Sequence, residues 1–95
     1  MKARFCPGDC VAVRLAHPPG HARTPFYIRG KIGFVERICG EFANPEELAY
    51  GRDGLPKLTL YRIRFQLRDV WSDYAGPKSD TLDVEIYEHW LEPAT

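Results

Sequence analysis

Between residues 17 and 30 the chain gathers side chains suited to holding an oxyanion: His17, His21, Arg23, Tyr27 and Arg29, set among Pro18, Pro19 and Pro25. Proline fixes its own backbone torsion, so such a loop loses little entropy when its side chains are held in one arrangement. Arg23 and Arg29 lie six residues apart. A guanidinium offers a planar fork of donors that matches a carboxylate, a phosphate or another oxyanion. The plain alternative is that these residues fill a connection and hydrogen-bond strand ends.

Other chemistries find less to work with. The three histidines are isolated, no Ser–His or Cys–His arrangement carries a signature, and no glycine-rich phosphate loop opens a helix. Cys6 and Cys10 are four apart, as are His17 and His21, but zinc centres draw four ligands from closer pairs, so no metal is expected in this chain. Cys10, at the start of a strand, reads as a small buried hydrophobe, and Cys39, beside Gly40, as inert. Three cysteines are an odd number, which fits a reducing cytosol better than a disulfide scaffold. No apolar run approaches the about 18 residues of a membrane span and there is no signal-peptide core, so the expectation is a cytoplasmic protein with no membrane contact.

The formal charge is zero, from 13 basic and 13 acidic side chains. Its distribution is uneven. Residues 1–40 carry seven Lys/Arg against two acids, a net of +5, and residues 41–95 carry six against eleven, a net of −5. Such a polarity suits an electrostatically matched protein partner. Arg14, Arg23, Arg29, Lys31 and Arg37, with Phe26 and Tyr27 among them, could instead neutralise phosphates and stack bases. The same inventory describes a protein interface, and the neutral total favours protein over nucleic acid.

The elements that must position these residues are short β-type runs between Gly/Pro loops. Residues 10–15 (CVAVRL), 31–38 (KIGFVERI), 59–67 (TLYRIRFQL) and 81–86 (TLDVEI) read as strands. Tyr61, Ile63, Phe65 and Leu67 share one face of the third, with Arg62, Arg64 and Gln66 opposite. In the fourth, Leu82, Val84 and Ile86 oppose Asp83 and Glu85, so neighbouring strands would set arginines against acids. The long loops are residues 17–27 and 39–58; in the second, Asn44-Pro45-Glu46-Glu47-Leu48 reads as one helical turn with Asn as its cap. Residues 87–91 form an aromatic-rich closing turn in which Trp90 or Leu91 plugs the barrel end. The expected core is Val11, Val13, Ile32, Tyr61, Ile63, Phe65, Leu82, Val84 and Ile86. Ninety-five residues suit one small all-β domain, a small SH3-like partly open barrel with two long loops and a short terminal helical turn. A β-sandwich wants about seven strands.

A set of motifs points to a family. Pro7-Gly8-Asp9 with Val11, followed by Gly20-His21-Ala22-Arg23-Thr24-Pro25-Phe26-Tyr27-Ile28-Arg29-Gly30 and Gly33, resembles GD-x-V and G-H-x-R-x-P-x-Y-x-R-G-x-x-G. Gly40 through Pro45-Glu46 resembles G-x-x-x-x-P-[DE], Leu60 to Phe65 resembles L-Y-x-V-x-F, and Val70-Trp71 resembles L-W. The closing run Asp83-Val84 through Glu88 and Trp90-Leu91-Glu92 resembles D-[VL]-x-x-x-E-x-Y-L-E. Together these are similar to the C-terminal barrel of the nitrile hydratase β subunit family, over nearly the whole chain. Trp90 stands where tyrosine is common, and the residues after Trp71 depart from the usual glycine-rich continuation.

The resemblance implies a non-metal-bearing β-type subunit of an enzyme that adds water to a nitrile to give an amide, inactive alone. It implies cobalt(III) or iron(III) in an α-type partner, held by a claw in which two cysteines are oxidised, and no cofactor here, since this sequence lacks the claw motif C-x-x-C-S-C. It places Arg23 against the sulfur oxyanions of that claw, with His21, Tyr27 and Arg29 toward the partner. Family β subunits carry a helical half before the barrel, so a separate short helical chain is a further expected partner. A small activator that escorts the α subunit during metal loading, and a generic SH3-like protein-binding module, remain the alternative roles.

Overall fold

Alternation decides where this chain becomes sheet. The computed structural model describes residues 3–15 and 24–94. Five strands form one antiparallel sheet in the order β4-β3-β2-β1-β5: β1 Cys10–Val13, β2 Ile32–Phe42, β3 Leu58–Gln66, β4 Thr81–Tyr87 and β5 Leu91–Pro93. The sheet curls without closing, giving the all-β, partly open SH3-like architecture expected from the sequence. In β3 every second residue from Thr59 to Phe65 is buried, as the two-residue period requires.

The opposite face of β3 carries its charges as foreseen. Arg62 lies opposite Glu85 and Arg64 opposite Asp83. Arg64 holds Asp83 through two hydrogen bonds of 2.8 and 3.0 Å, which keeps that carboxyl below the usual carboxylate range.

The core is built on Val11, Val13, Val35, Tyr61, Ile63, Phe65 and Ile86. Leu82 and Val84 pack against it only partly buried. Trp90 and Leu91 are both buried, closing one end as the sequence suggested. Ile32 is a correction: expected inside, it is 57% exposed. The cause is Gly33, which takes the inward position where β2 runs beside β3. A Cβ there would lie 2.6 Å from the Arg64 carbonyl oxygen and 2.9 Å from Ile63 Cγ2. With 33 facing in, the pleat turns Ile32 and Phe34 outward. Cys10 is exposed rather than a buried hydrophobe, because Val11 and Val13 hold the inner positions of β1.

The boundaries also move. β2 runs to Phe42, with irregularities between Val35 and Arg37 and between Ile38 and Gly40, so Cys39 sits within a strand and the second loop begins later than expected. Leu67 leaves the β3 face to open a short turn, α1 being Pro45–Leu48 and α2 Leu67–Val70. In α1 the Asn44 side chain accepts from the Glu46 backbone N–H at 3.0 Å, the expected N-cap. Two 3-10 turns, Phe26–Ile28 and Glu88–Trp90, flank the loop and precede β5.

Two substitutions test this packing by urea denaturation. Phe65→Ala should cost about 3–5 kcal/mol. Gly33→Ala should cost about 1–3 kcal/mol, because backbone rather than a flexible side chain blocks the new methyl. A neutral Gly33→Ala would mean the packing of β2 against β3 at Gly33 is looser than described.

Candidate functional site

The proline-containing loop connects β1 to β2. His21 and Arg23, with residues 16–20 and 22, lie outside the described residues. Both feet of the loop are described, and both are fastened to the closing 3-10 turn. On the entry side the Arg14 backbone N–H donates to the Trp90 carbonyl at 2.9 Å, and Arg14 Nη1 donates to the His89 carbonyl at 3.1 Å. On the return side Thr24 is buried, and its carbonyl accepts from Arg29 Nε and Nη2 at 3.3 and 2.8 Å. The Arg29 guanidinium lies 4.8 Å from the centroid of the Trp90 ring, a cation–π contact. Gly30 N–H to the Val13 carbonyl at 2.8 Å, and Val13 N–H to the Lys31 carbonyl at 2.9 Å, draw the two feet together.

The two hydrogen bonds from Arg29 to Thr24 thus run to the backbone of its own loop rather than to a strand end. Tyr27 is 41% exposed and stacks on Trp71, the ring centroids 5.3 Å apart and the planes 25° from parallel. Two exposed aromatics from distant segments thus form one flat surface beside the loop.

The closing turn is itself held from two sides. Trp90 Nε1 donates to Glu46 Oε2 at 2.7 Å, joining α1 to the turn. His89 Nε2 approaches Glu46 Oε1 to 3.1 Å without the alignment of a hydrogen bond. On the core side the buried Tyr61 hydroxyl donates to Glu88 and accepts from the Arg4 and Phe5 backbone N–H groups at 3.0 and 3.2 Å. Burial, reinforced by that hydrogen bond to Glu88, pushes the Tyr61 phenol up to about 12.

Glu46, His89, Trp90 and Arg14 were not singled out as site residues by the sequence reading. Glu46 and Trp90 did stand in two of its motifs, but 44 residues separate them, and nothing in periodicity brings them together. Among the described residues no group of three or more His, Cys, Asp or Glu comes together to hold a metal ion. The donor set here does not fit a cobalt or iron centre. Nor is any described helix long and apolar enough to cross a membrane.

The sequence signature of "Nitrile hydratase beta subunit, C-terminal" matches residues 1–93. The chain belongs to the nitrile hydratase β subunit family. It is 34% identical over 87 residues to the cobalt-containing nitrile hydratase subunit beta of Pseudonocardia thermophila, covering 92% of this chain and 35% of that one. It is 33% identical over 94 residues to thiocyanate hydrolase subunit alpha of Thiobacillus thioparus, covering 98% and 74%. A structure of the recombinant apo-enzyme of thiocyanate hydrolase from Thiobacillus thioparus superposes with a TM-score of 0.92 at 33% identity, over 98% of this chain and 78% of that one. The chain spans about two fifths of the length of the nitrile hydratase β subunits it matches.

The Tyr61 node makes a pH test possible. Its folded-state pKa lies above the unfolded value, so its contribution is fully present below about pH 10 and is lost as pH rises toward about 12. Urea titrations should find the wild type losing about 2–3 kcal/mol relative to Tyr61→Phe across that window. Parallel curves for the two proteins would contradict the node.

Proposed function

We propose that the chain is a non-metal-bearing β-type subunit of a nitrile hydratase-like enzyme, a single barrel domain over residues 1–95 that completes the active site of an α-type partner. Such a complex adds water to a nitrile to give an amide, and the cobalt or iron of the partner supplies the Lewis acidity. This chain supplies Arg23. Its guanidinium would hydrogen-bond the oxygens of the partner's oxidised cysteines, holding charge and geometry that a lysine ammonium cannot match. The observation that carries the reading is the family match along residues 1–93, with the loop motif intact in sequence. Support comes also from the two fastened feet of that loop, because a side chain that organises another subunit's site must be held by its own.

His21 and Tyr27 would face the partner beside Arg23, with Arg29 backing the loop. The Tyr27–Trp71 surface suits a protein contact, where aromatic anchors dominate. The basic first half of the chain would meet an acidic surface. A short helical β-type chain is the further partner this reading admits. The three cysteines are free, as a cytoplasmic complex would require.

The test is reconstitution with an α-type chain. Arg23→Ala and Arg23→Lys should both lower turnover by about 10²–10³-fold, while pull-down of the partner stays near wild type. Arg68→Ala, on an exposed side chain bonded to Gln66, should change neither. Normal turnover by Arg23→Ala would remove the arginine assignment. A mature enzyme from which this chain has departed would replace the subunit by the activator role.

The chain alone should hydrate no nitrile and hold no stoichiometric metal. Elemental analysis that finds about one cobalt or iron per chain, lost on replacing Cys6 and Cys10, would contradict this.

A further inference from the structure

The two ends of the sheet are finished differently. At one end β5 is three residues long and closes on Pro93, and short length with proline is a common way of blunting an edge. At the other end β4 runs seven residues, Thr81–Tyr87, with neither proline nor lysine. It pairs with β3 in an unbroken register from Thr81 to Tyr87. Among the described residues no strand pairs with its far side. A strand paired on one side only offers a row of backbone N–H and C=O groups to another strand.

The side chains of β4 show the same opening. Leu82 and Val84 face inward, opposite Phe65 and Ile63. Phe65 and Ile63 are fully buried, whereas Leu82 and Val84 are only partly so. Ile86, nearer the closing turn, is buried. The apolar layer therefore ends half covered along the first part of β4. On the outer face Asp83 and Glu85 form the last row of the charge ladder, each bonded to its arginine on β3. The Glu85 side chain is still 51% exposed. A carboxylate oxygen has two lone pairs, so these acids can accept from the open side as well.

Those charges decide what fits. Two identical edges related by a two-fold axis would pair antiparallel. With Val84 opposite Val84, Asp83 would face Glu85 twice. Centred on Asp83 or on Glu85, the pairing would set an acid against itself. Like charges directly opposite are destabilising, so a second copy is a poor occupant. A strand with basic residues on its outer face and apolar residues on its inner face suits both rows.

We propose that the free edge of β4 takes up an extended segment of another protein, in which lysine or arginine alternates with apolar residues. Backbone hydrogen bonds supply the attachment, the apolar residues cover Leu82 and Val84, and the basic ones continue the ladder beyond Asp83 and Glu85. The inference does not rest on the reading of Arg23 given above.

The probe is a capped synthetic peptide as long as β4, alternating lysine and valine, titrated into the isotope-labelled full chain and followed by NMR amide shifts. The shifts should concentrate on Thr81–Tyr87. Glu85→Gln should weaken binding by about 1.5- to 5-fold, and added salt should weaken the wild-type complex. A peptide alternating glutamate and valine should bind less tightly than the lysine peptide. Two further lysine–valine peptides carry N-methyl groups, one on the lysines and one on the valines. In an added strand the amides of one set point at β4 and those of the other at solvent, so one peptide should lose binding and the other keep it. Equal behaviour of the two would mean that charge holds the peptide without strand pairing, and overturns the proposal. Equal affinity for the glutamate peptide, shifts that fall away from β4, or no binding overturns it too. A dimer of the chain alone, joined through β4, would give the edge to a second copy and overturn it likewise.

Discussion

Three distant stretches of chain meet at the indole of Trp90. The indole N–H is held by Glu46 of α1, the ring face carries Arg29, and the Trp90 backbone carbonyl accepts the Arg14 backbone N–H. Burial of the ring supplies a large apolar contact, and the polar groups around it leave its donor and acceptor satisfied. Because both feet of the loop between β1 and β2 depend on this one turn, the loop's position is tied to the closing end of the sheet. Tyr61 secures that end from within: its buried hydroxyl joins the turn at Glu88 to the backbone of Arg4 and Phe5. The first and last segments of the fold are thereby bound to one phenol in the middle of β3.

The same arrangement explains a division of labour. Among the described residues no group of three or more His, Cys, Asp or Glu comes together to hold a metal ion, and the role proposed for this chain is instead to contribute an arginine to a partner's anionic centre. A subunit that contributes a guanidinium rather than a metal ligand must present that side chain from a stiff support, since an error of an ångström in placement weakens a bidentate contact. The contacts of Arg29 with Trp90, and of Trp90 with Glu46, brace the returning end of the loop at Thr24. The stacked pair of Tyr27 and Trp71 adds a flat aromatic surface beside it, joining the 3-10 turn at Phe26–Ile28 to the end of α2.

Much of the sheet was legible in the alternation of apolar residues. In β3 the inward set of Tyr61, Ile63 and Phe65, and the facing of Arg62 and Arg64 by Glu85 and Asp83, follow from a period of two and from charge. The helical turn at Asn44 was legible from its cap, and the closing of the barrel end from Trp90 and Leu91. Ile32 misled because an isoleucine beside a glycine looks like the core residue of the pair. Only the approach of β2 to the Arg64 carbonyl shows that the inner position accepts no side chain. Strand β5 is three residues long and contains Glu92 and Pro93, so it carries no apolar period to read. The contact between Glu46 and Trp90 was hidden for another reason: it joins residues from two loops, and tertiary closure rather than local pattern brings them together.

The central claim is geometric, that this chain delivers the Arg23 guanidinium to the anionic sulfur groups of a metal-bearing partner. A crystal structure of the chain assembled with an α-type nitrile hydratase subunit tests it most directly. The account predicts Arg23 nitrogens within about 3 Å of oxygens on the partner's oxidised cysteines, with the Glu46–Trp90 hydrogen bond retained behind the loop. A complex in which Arg23 faces solvent, or in which the loop lies away from the partner's metal centre, would contradict it.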